Sequence, residues 1–159
     1  MKKLLCALGC VLAWSLAAPT WAQEKPRAPE LSSSELLAKI QSDKKGIVER
    51  TMKLTPDEAK KFWPLYDAFQ RELEGPRREA TLATLDYVAA ENSLTDANAK
   101  RIADQILAAQ LKEAQLHQRH FKQLLKVLPA RKAARYMQIE NKMLAVTRYE
   151  IARALPLVH

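Results

Sequence analysis

Beyond residue 22 the chain holds no cysteine and only two glycines, Gly46 and Gly75. Without cysteine, residues 23–159 form no disulfide, carry no thiolate nucleophile and offer no Cys-ligated zinc or haem site. So few glycines also exclude the clustered turns that bring backbone close to a phosphate, and with them nucleotide-binding loops and dinucleotide fingerprints. No segment alternates apolar and polar residues as a half-buried strand does. No serine stands in a nucleophile elbow. No block of Lys and Arg is interleaved with aromatics, so no nucleic-acid partner is expected.

What is present begins with an export signal. Lys2 and Lys3 supply a charged start, residues 4–18 an apolar run too short to anchor, and Thr20-Trp21-Ala22 small residues at the two positions a signal peptidase reads. Both cysteines, Cys6 and Cys10, lie inside this segment. Ala7-Leu8-Gly9-Cys10 departs from a leucine-led lipoprotein box, so a soluble product is expected rather than an acyl-anchored one. The organisation that follows is a signal peptide over 1–22 with cleavage after Ala22, a flexible leader over 23–33 marked by Pro26 and Pro29, and one helical domain over 34–158. The expected location is the periplasm, with no stable membrane insertion after cleavage. The whole chain carries a formal charge of +8, and loss of Lys2 and Lys3 leaves +6. That charge is mixed along every segment and reads as a solvated helical surface, or as a shallow positive field for acidic clients or membrane surfaces.

Four helices are expected. Ser32, Ser33 and Ser34 offer caps, and Leu36, Leu37, Ile40, Ile47 and Val48 recur at helical spacing to about Lys53, across a weakening Gly46. Thr55-Pro56-Asp57-Glu58 is a capping box with proline at the first helical position. The second helix reads as 56–91, with a kink or short break at Pro64 and a bend at Gly75-Pro76. The third starts at Thr95 or Asp96 and reaches about Leu128, and Pro129 opens the fourth, which ends near Leu155. On the third helix Ile106, Leu107, Leu111, Ala114, Phe121, Leu124, Leu125 and Leu128 fall on one broad face. That arc spans roughly 180°, wider than one-sided packing needs. Ile102, Ile106 and Leu124 mark one margin and Leu111 the other, so neighbours on two sides and a twofold, isologous homodimer are predicted. The fold class is all-α, with four antiparallel helices joined by short connections.

Chemistry-bearing clusters are sparse. His117 and His120 lie three apart and are the candidate metal ligands, but two ligands alone rarely hold zinc. A packed or interface histidine is the plainer reading of His117, which falls inside the apolar stripe. Glu72, Glu74, Glu79 and Glu140 read as surface ion-pair partners. No enzyme and no cofactor are expected, a metal-dependent hydrolase on His117 and His120 being the remaining catalytic reading. Phe62, Trp63 and Tyr66 concentrate aromatic mass around Pro64, and Tyr136, Met137 and Met143 form a second cluster. Both admit core packing or an apolar surface for clients or partners.

Leu54-Thr55-Pro56-Asp57-Glu58 resembles the motif that names the LTXXQ family of exported helical proteins, the Spy and CpxP group, through Leu54, Thr55 and, in the glutamine position, Glu58. Leu94-Thr95-Asp96-Ala97-Asn98 is a partial second copy. Phe62-Trp63-Pro64-Leu65-Tyr66 and Gln138-Ile139-Glu140-Asn141-Lys142 resemble an exported branch of that group. The resemblance covers about residues 34–158. It implies a thin, curved, antiparallel helical homodimer in the periplasm that acts as an ATP-independent chaperone for unfolded or partly folded envelope proteins. The alternative it implies is a regulatory partner of an envelope-stress or metal-responsive sensor system, docking on a sensor kinase. The chain lacks the His, Cys and Met enrichment of the metal-responsive subgroup.

Overall fold

The computed structural model describes residues 32–157. The expected signal peptide, nearly all of the leader and Val158 lie outside the described residues. Those described are all-α, with no strand among them: α1 (Ser33–Met52), α2 (Pro56–Ala90), a short 3₁₀ turn (Glu91–Ser93), α3 (Asp96–Leu124) and α4 (Ala130–Ala154).

Each start has a local cause. Ser32 caps α1, accepting from the Glu35 backbone N–H at 3.3 Å while its own N–H donates to Glu35 Oε2 at 2.8 Å. Thr55 and Glu58 repeat this reciprocal pair at the start of α2, at 3.3 and 2.8 Å. Thr95 caps α3 through the Asn98 N–H at 3.3 Å, with no reciprocal bond from the shorter Asn98 side chain. Pro129 is the residue before α4 rather than its first turn, and residues 125–129 separate the last two helices, so α3 ends at Leu124, four residues sooner than its pattern predicts.

Two expected irregularities move. α1 does not weaken at Gly46; it breaks its backbone at Asp43 (φ −147°, ψ 50°). The Asp43 Oδ1 accepts from the Gly46 N–H at 3.0 Å, so the aspartate caps the second half of the helix. A Cβ at position 46 would collide with that carboxylate, which explains the glycine. At Pro64 the helix neither stops nor restarts, since α2 runs unbroken from Pro56 to Ala90 through both Pro64 and Pro76. Pro64 lies on the exposed side of the helix, away from the core residues Phe62, Tyr66 and Phe69.

Side-chain pairs fix the arrangement. Glu72 with Arg119, Glu79 with Lys112 (2.7 Å) and Asp86 with Arg101 (3.4 Å) run along an antiparallel α2/α3 hairpin. Lys44 with Glu140 (2.8 Å) and the Lys53 carbonyl with Lys132 Nζ (3.5 Å) set α1 antiparallel to α4. Gln70 to Glu140 (3.1 Å) and the Tyr87 hydroxyl to the Pro156 carbonyl (2.9 Å) set α2 parallel to α4. The result is an up-down-up-down array. Its large core residues gather where the α1/α2 and α3/α4 connections meet: Met52, Phe62, Phe69, Leu73, Leu124 and Tyr136 are fully buried. Towards the α2/α3 turn the buried stripe of those two helices shrinks to Ala83, Ile102 and Ala109.

The Asp43 cap and the Gly46 gap act as one unit. Gly46→Ala alone gains about 1 kcal/mol of helix propensity and loses a cap of about the same size, leaving stability near that of the parent. In an Asp43→Ala background the same substitution is stabilising by about 1 kcal/mol. Urea denaturation of the four proteins checks this; identical effects of Gly46→Ala in both backgrounds would show that the two residues are independent.

Candidate functional site

Phe62, Tyr66, Tyr136 and Met143 do not form a surface. All four are buried, and Trp63 and Met137 are half-buried. For these four the reading as a client or partner surface is thereby corrected, because Phe62 and Tyr66 on α2 and Tyr136 and Met143 on α4 each lie on one face of their helix, turned to the core, while Trp63 and Met137 pack against its edge. Phe62 meets Tyr136 edge-on at 5.1 Å between ring centroids and Trp63 at 5.0 Å. Tyr66 meets Trp63 at 5.3 Å. The Lys45 ammonium from α1 lies over Trp63, 5.1 Å from its centroid, and pairs with Asp67 at 2.9 Å, so the exposed side of the cluster is lidded by a cation.

Beside the aromatics lies a buried polar layer that sequence reasoning missed. Glu140 was expected on the surface and is 1% exposed. Its carboxylate accepts from Lys44 Nζ (2.8 Å, α1), Gln70 Nε2 (3.1 Å, α2) and the Tyr136 hydroxyl (2.9 Å, α4). Lys44 also donates to Gln70 Oε1 at 2.8 Å. Three helices thus converge on one carboxylate. Burial lowers the Lys44 pKa, opposed by the Glu140 charge, and burial together with that charge raises the Tyr136 hydroxyl well above its ordinary value. Tyr66, buried nearby, is pushed up to about 12, chiefly by burial. One level further along, Glu113 of α3 is buried between Arg77 Nε (3.0 Å) and Arg148 (3.3 Å), tying α2, α3 and α4 together. Glu72 and Glu79 do form the expected surface pairs.

His117 and His120 both pack on Phe69. The His120 ring stacks on it at 4.0 Å with an interplanar angle of 1°, and His117 meets it edge-on at 5.2 Å. The His117 Nδ1 lies 2.9 Å from the Glu113 carbonyl and donates to it in the matching tautomer. Among the described residues neither ring nitrogen of His120 has a hydrogen-bond partner. Burial holds His120 neutral, with a pKa of about 4. Among the described residues no three His, Cys, Asp or Glu side chains converge as a metal set.

The motif residues are local structure. Thr55 and Glu58 form the α2 cap, Glu58 also pairs with Lys132 at 2.5 Å, and Leu54 packs half-buried against the core. The Lys132 ammonium, then the backbone N–H of Thr55, hold the Glu58 carboxyl below its ordinary pKa.

The broad apolar face of α3 divides in two. Its buried stripe is Ile102, Ala109, Glu113, His120 and Leu124. Leu107 and Leu111 are 61% and 60% exposed, about 140° and 180° around the helix from Ile102 at 100° per residue, so they turn away from the core instead of joining it. Leu82, Leu85 and Val88 near the end of α2 are also exposed. Five large apolar side chains therefore stand uncovered at the far half of the hairpin. Comparison with protein-family models, with curated proteins and with solved structures finds no match for this chain.

Two measurements probe the buried polar groups. Lys44→Met strands the Glu140 carboxylate and costs about 3 kcal/mol of stability, most of which Lys44→Met/Glu140→Leu recovers; additive losses in a double-mutant cycle would show the pair to be uncoupled. His120 has its folded pKa below the unfolded value of 6.5, so the unfolded chain binds more protons between these two values and stability rises with pH there. Acidification from pH 6.5 to about 4 therefore removes roughly 3 kcal/mol through this ring, and the loss is complete below that. His120→Phe, which keeps the stack on Phe69, flattens that part of the stability–pH curve relative to the parent; parallel curves would exclude His120 as the source.

Proposed function

We propose that this chain is an exported, ATP-independent binding protein for partly folded envelope proteins. The observation that carries the reading is the set of uncovered leucine and valine side chains on the far half of the α2/α3 hairpin, Leu82, Leu85, Val88, Leu107 and Leu111. Singly exposed apolar residues are ordinary, but five large ones on two adjacent helices in a segment with little core of its own are a contact surface. The charges beside them, Glu79 with Lys112 and Asp86 with Arg101, are paired with each other and keep that segment hydrated between encounters. A client held this way leaves when it buries its own apolar residues, so the cycle needs no nucleotide. The resemblance of Leu54-Thr55-Pro56-Asp57-Glu58 to the LTXXQ motif supports the same reading, as does the signal-like N-terminus.

A twofold homodimer belongs to this proposal. α3 carries apolar residues on two sides, and one side is open in the single chain, which a second copy would cover in part.

The test combines two measurements on the purified protein. It suppresses aggregation of a reduced or heated client at equimolar amounts, and sedimentation at micromolar concentration gives twice the mass of the chain. Leu107→Ser/Leu111→Ser removes two side chains worth about 1.5–3 kcal/mol each when fully buried, and weakens client capture by at least about tenfold. Unaltered capture by this variant would place the binding surface elsewhere, and absence of suppression by the parent would end the chaperone reading.

A further inference from the structure

The two ends of the helical array differ in charge as sharply as in packing. Residues 53–61 and 122–135 contain eight lysines and arginines and two carboxylates. The two segments are neighbours, because Lys132 Nζ lies 2.5 Å from Glu58 and 3.5 Å from the Lys53 carbonyl. Lys132 alone among these cations is paired with a carboxylate among the described residues. Lys53, Lys60, Lys61, Lys126, Arg131 and Arg135 are all exposed, with no salt-bridge partner there. At the opposite end the pattern reverses: Lys100, Arg101, Lys112, Arg148 and Arg153 each face a carboxylate within 3.4 Å. Lys39, Arg71, Arg78 and Lys142 are likewise exposed without a salt-bridge partner among the described residues, but they stand singly along the helices, whereas the end that holds the core gathers these six.

That end also presents an apolar side chain. Leu125, in the turn between α3 and α4, is 43% exposed and stands between Lys122 and Lys126 in sequence. Its neighbours Leu124 and Leu128 are the ones that enter the core, and Leu125 is left facing outward. An exposed leucine flanked by lysines in a turn matches a partner that offers negative charge at its surface and hydrocarbon beneath. Lysine dominates the set. Its ammonium is a point charge on a flexible stem, suited to a diffuse anionic field, whereas bidentate recognition of a defined carboxylate or base favours arginine.

We propose that the end formed by the α1/α2 and α3/α4 connections docks peripherally on anionic phospholipid, with Lys60, Lys126 and Arg131 near the headgroups and Leu125 entering the interface. Such docking leaves the apolar half of the α2/α3 hairpin facing away from the bilayer. It is independent of client binding, and the two are measured separately.

Vesicle flotation with the purified protein tests it, comparing phosphatidylcholine alone with phosphatidylcholine containing about 30% phosphatidylglycerol, the anionic component that such a patch reads. Binding is expected only to the anionic vesicles, and it is expected to disappear at about 0.5 M salt, where the screening length is only a few ångströms. Each Lys or Arg near the surface raises partitioning about fivefold, so Lys60→Ala/Lys126→Ala/Arg131→Ala loses about a hundredfold. Lys39→Ala/Arg78→Ala/Lys142→Ala changes net charge equally away from this end and loses far less. All six positions are exposed, and circular dichroism confirms the fold of both variants. Because the variants share the N-terminal segment with the parent, any affinity of that segment cancels. Leu125→Ser weakens anionic-vesicle binding without changing its salt dependence. Failure of the parent to float with anionic vesicles, or equal losses in the two triple variants, overturns the proposal. Binding to polyglutamate with none to vesicles overturns it in favour of an acidic protein partner.

Discussion

The Glu140 carboxylate is the point on which the array depends. α1 packs closely against α4 and meets α2 through side chains, Lys44 to Gln70 and Lys45 to Asp67 among them. Glu140 supplies a common acceptor for Lys44, Gln70 and Tyr136, one from each of three helices. A carboxylate taken out of water demands such partners in full, since an unpaired buried charge costs several kcal/mol. That demand makes the layer specific: sliding α1 by one turn breaks both Lys44 bonds and leaves the buried Glu140 carboxylate without its cation. The aromatic cluster of Phe62, Tyr66 and Tyr136 supplies the apolar burial next to it, and the Tyr136 hydroxyl joins the two.

From this layer the molecule thins in one direction. The helices carry Phe, Tyr, Leu and Met inward near the α1/α2 and α3/α4 connections, and mostly Ala near the α2/α3 turn. Alanine allows close helix approach but buries little area, so stability is concentrated at one end and contact surface at the other. Charge follows the same axis. Around the thin half Lys100, Arg101, Lys112, Arg148 and Arg153 are matched by carboxylates, a device that keeps a two-helix segment hydrated. Around the thick half seven lysines and arginines have no such match among the described residues. The client-binding and lipid-docking proposals assign one task to each end.

Local structure was the most legible level. The capping boxes at Ser32 and Thr55, the cap at Thr95 and the stop at Pro156 are set by residues within four positions of one another, so the chain carries their full cause. The LTXXQ-like motif is such a signal in physical terms: threonine and the acidic residue three places on hold each other's backbone N–H. The break at Asp43 was also within reach, since an aspartate three residues before a glycine is a cap pattern, but a continuing apolar period hid it. The continuous second helix was legible as well, and of the two outcomes left open at Pro64 the structure shows no break.

Composition and periodicity by themselves determined that the described residues are helical, that they form four α-helices, and where most of these begin. Those properties follow from spacing along one strand of backbone. Tertiary structure alone decided which of two apolar arcs on α3 is buried, that Glu140, Glu113 and His120 lie inside, and that Phe62, Tyr66 and Tyr136 are core. It also decided that one end collects the unmatched cations. A helical wheel ranks faces by hydrophobicity, and Leu107 outranks Glu113. Which face is covered depends on where the other helices run, and that is set by groups 66 to 96 residues apart meeting at one carboxylate.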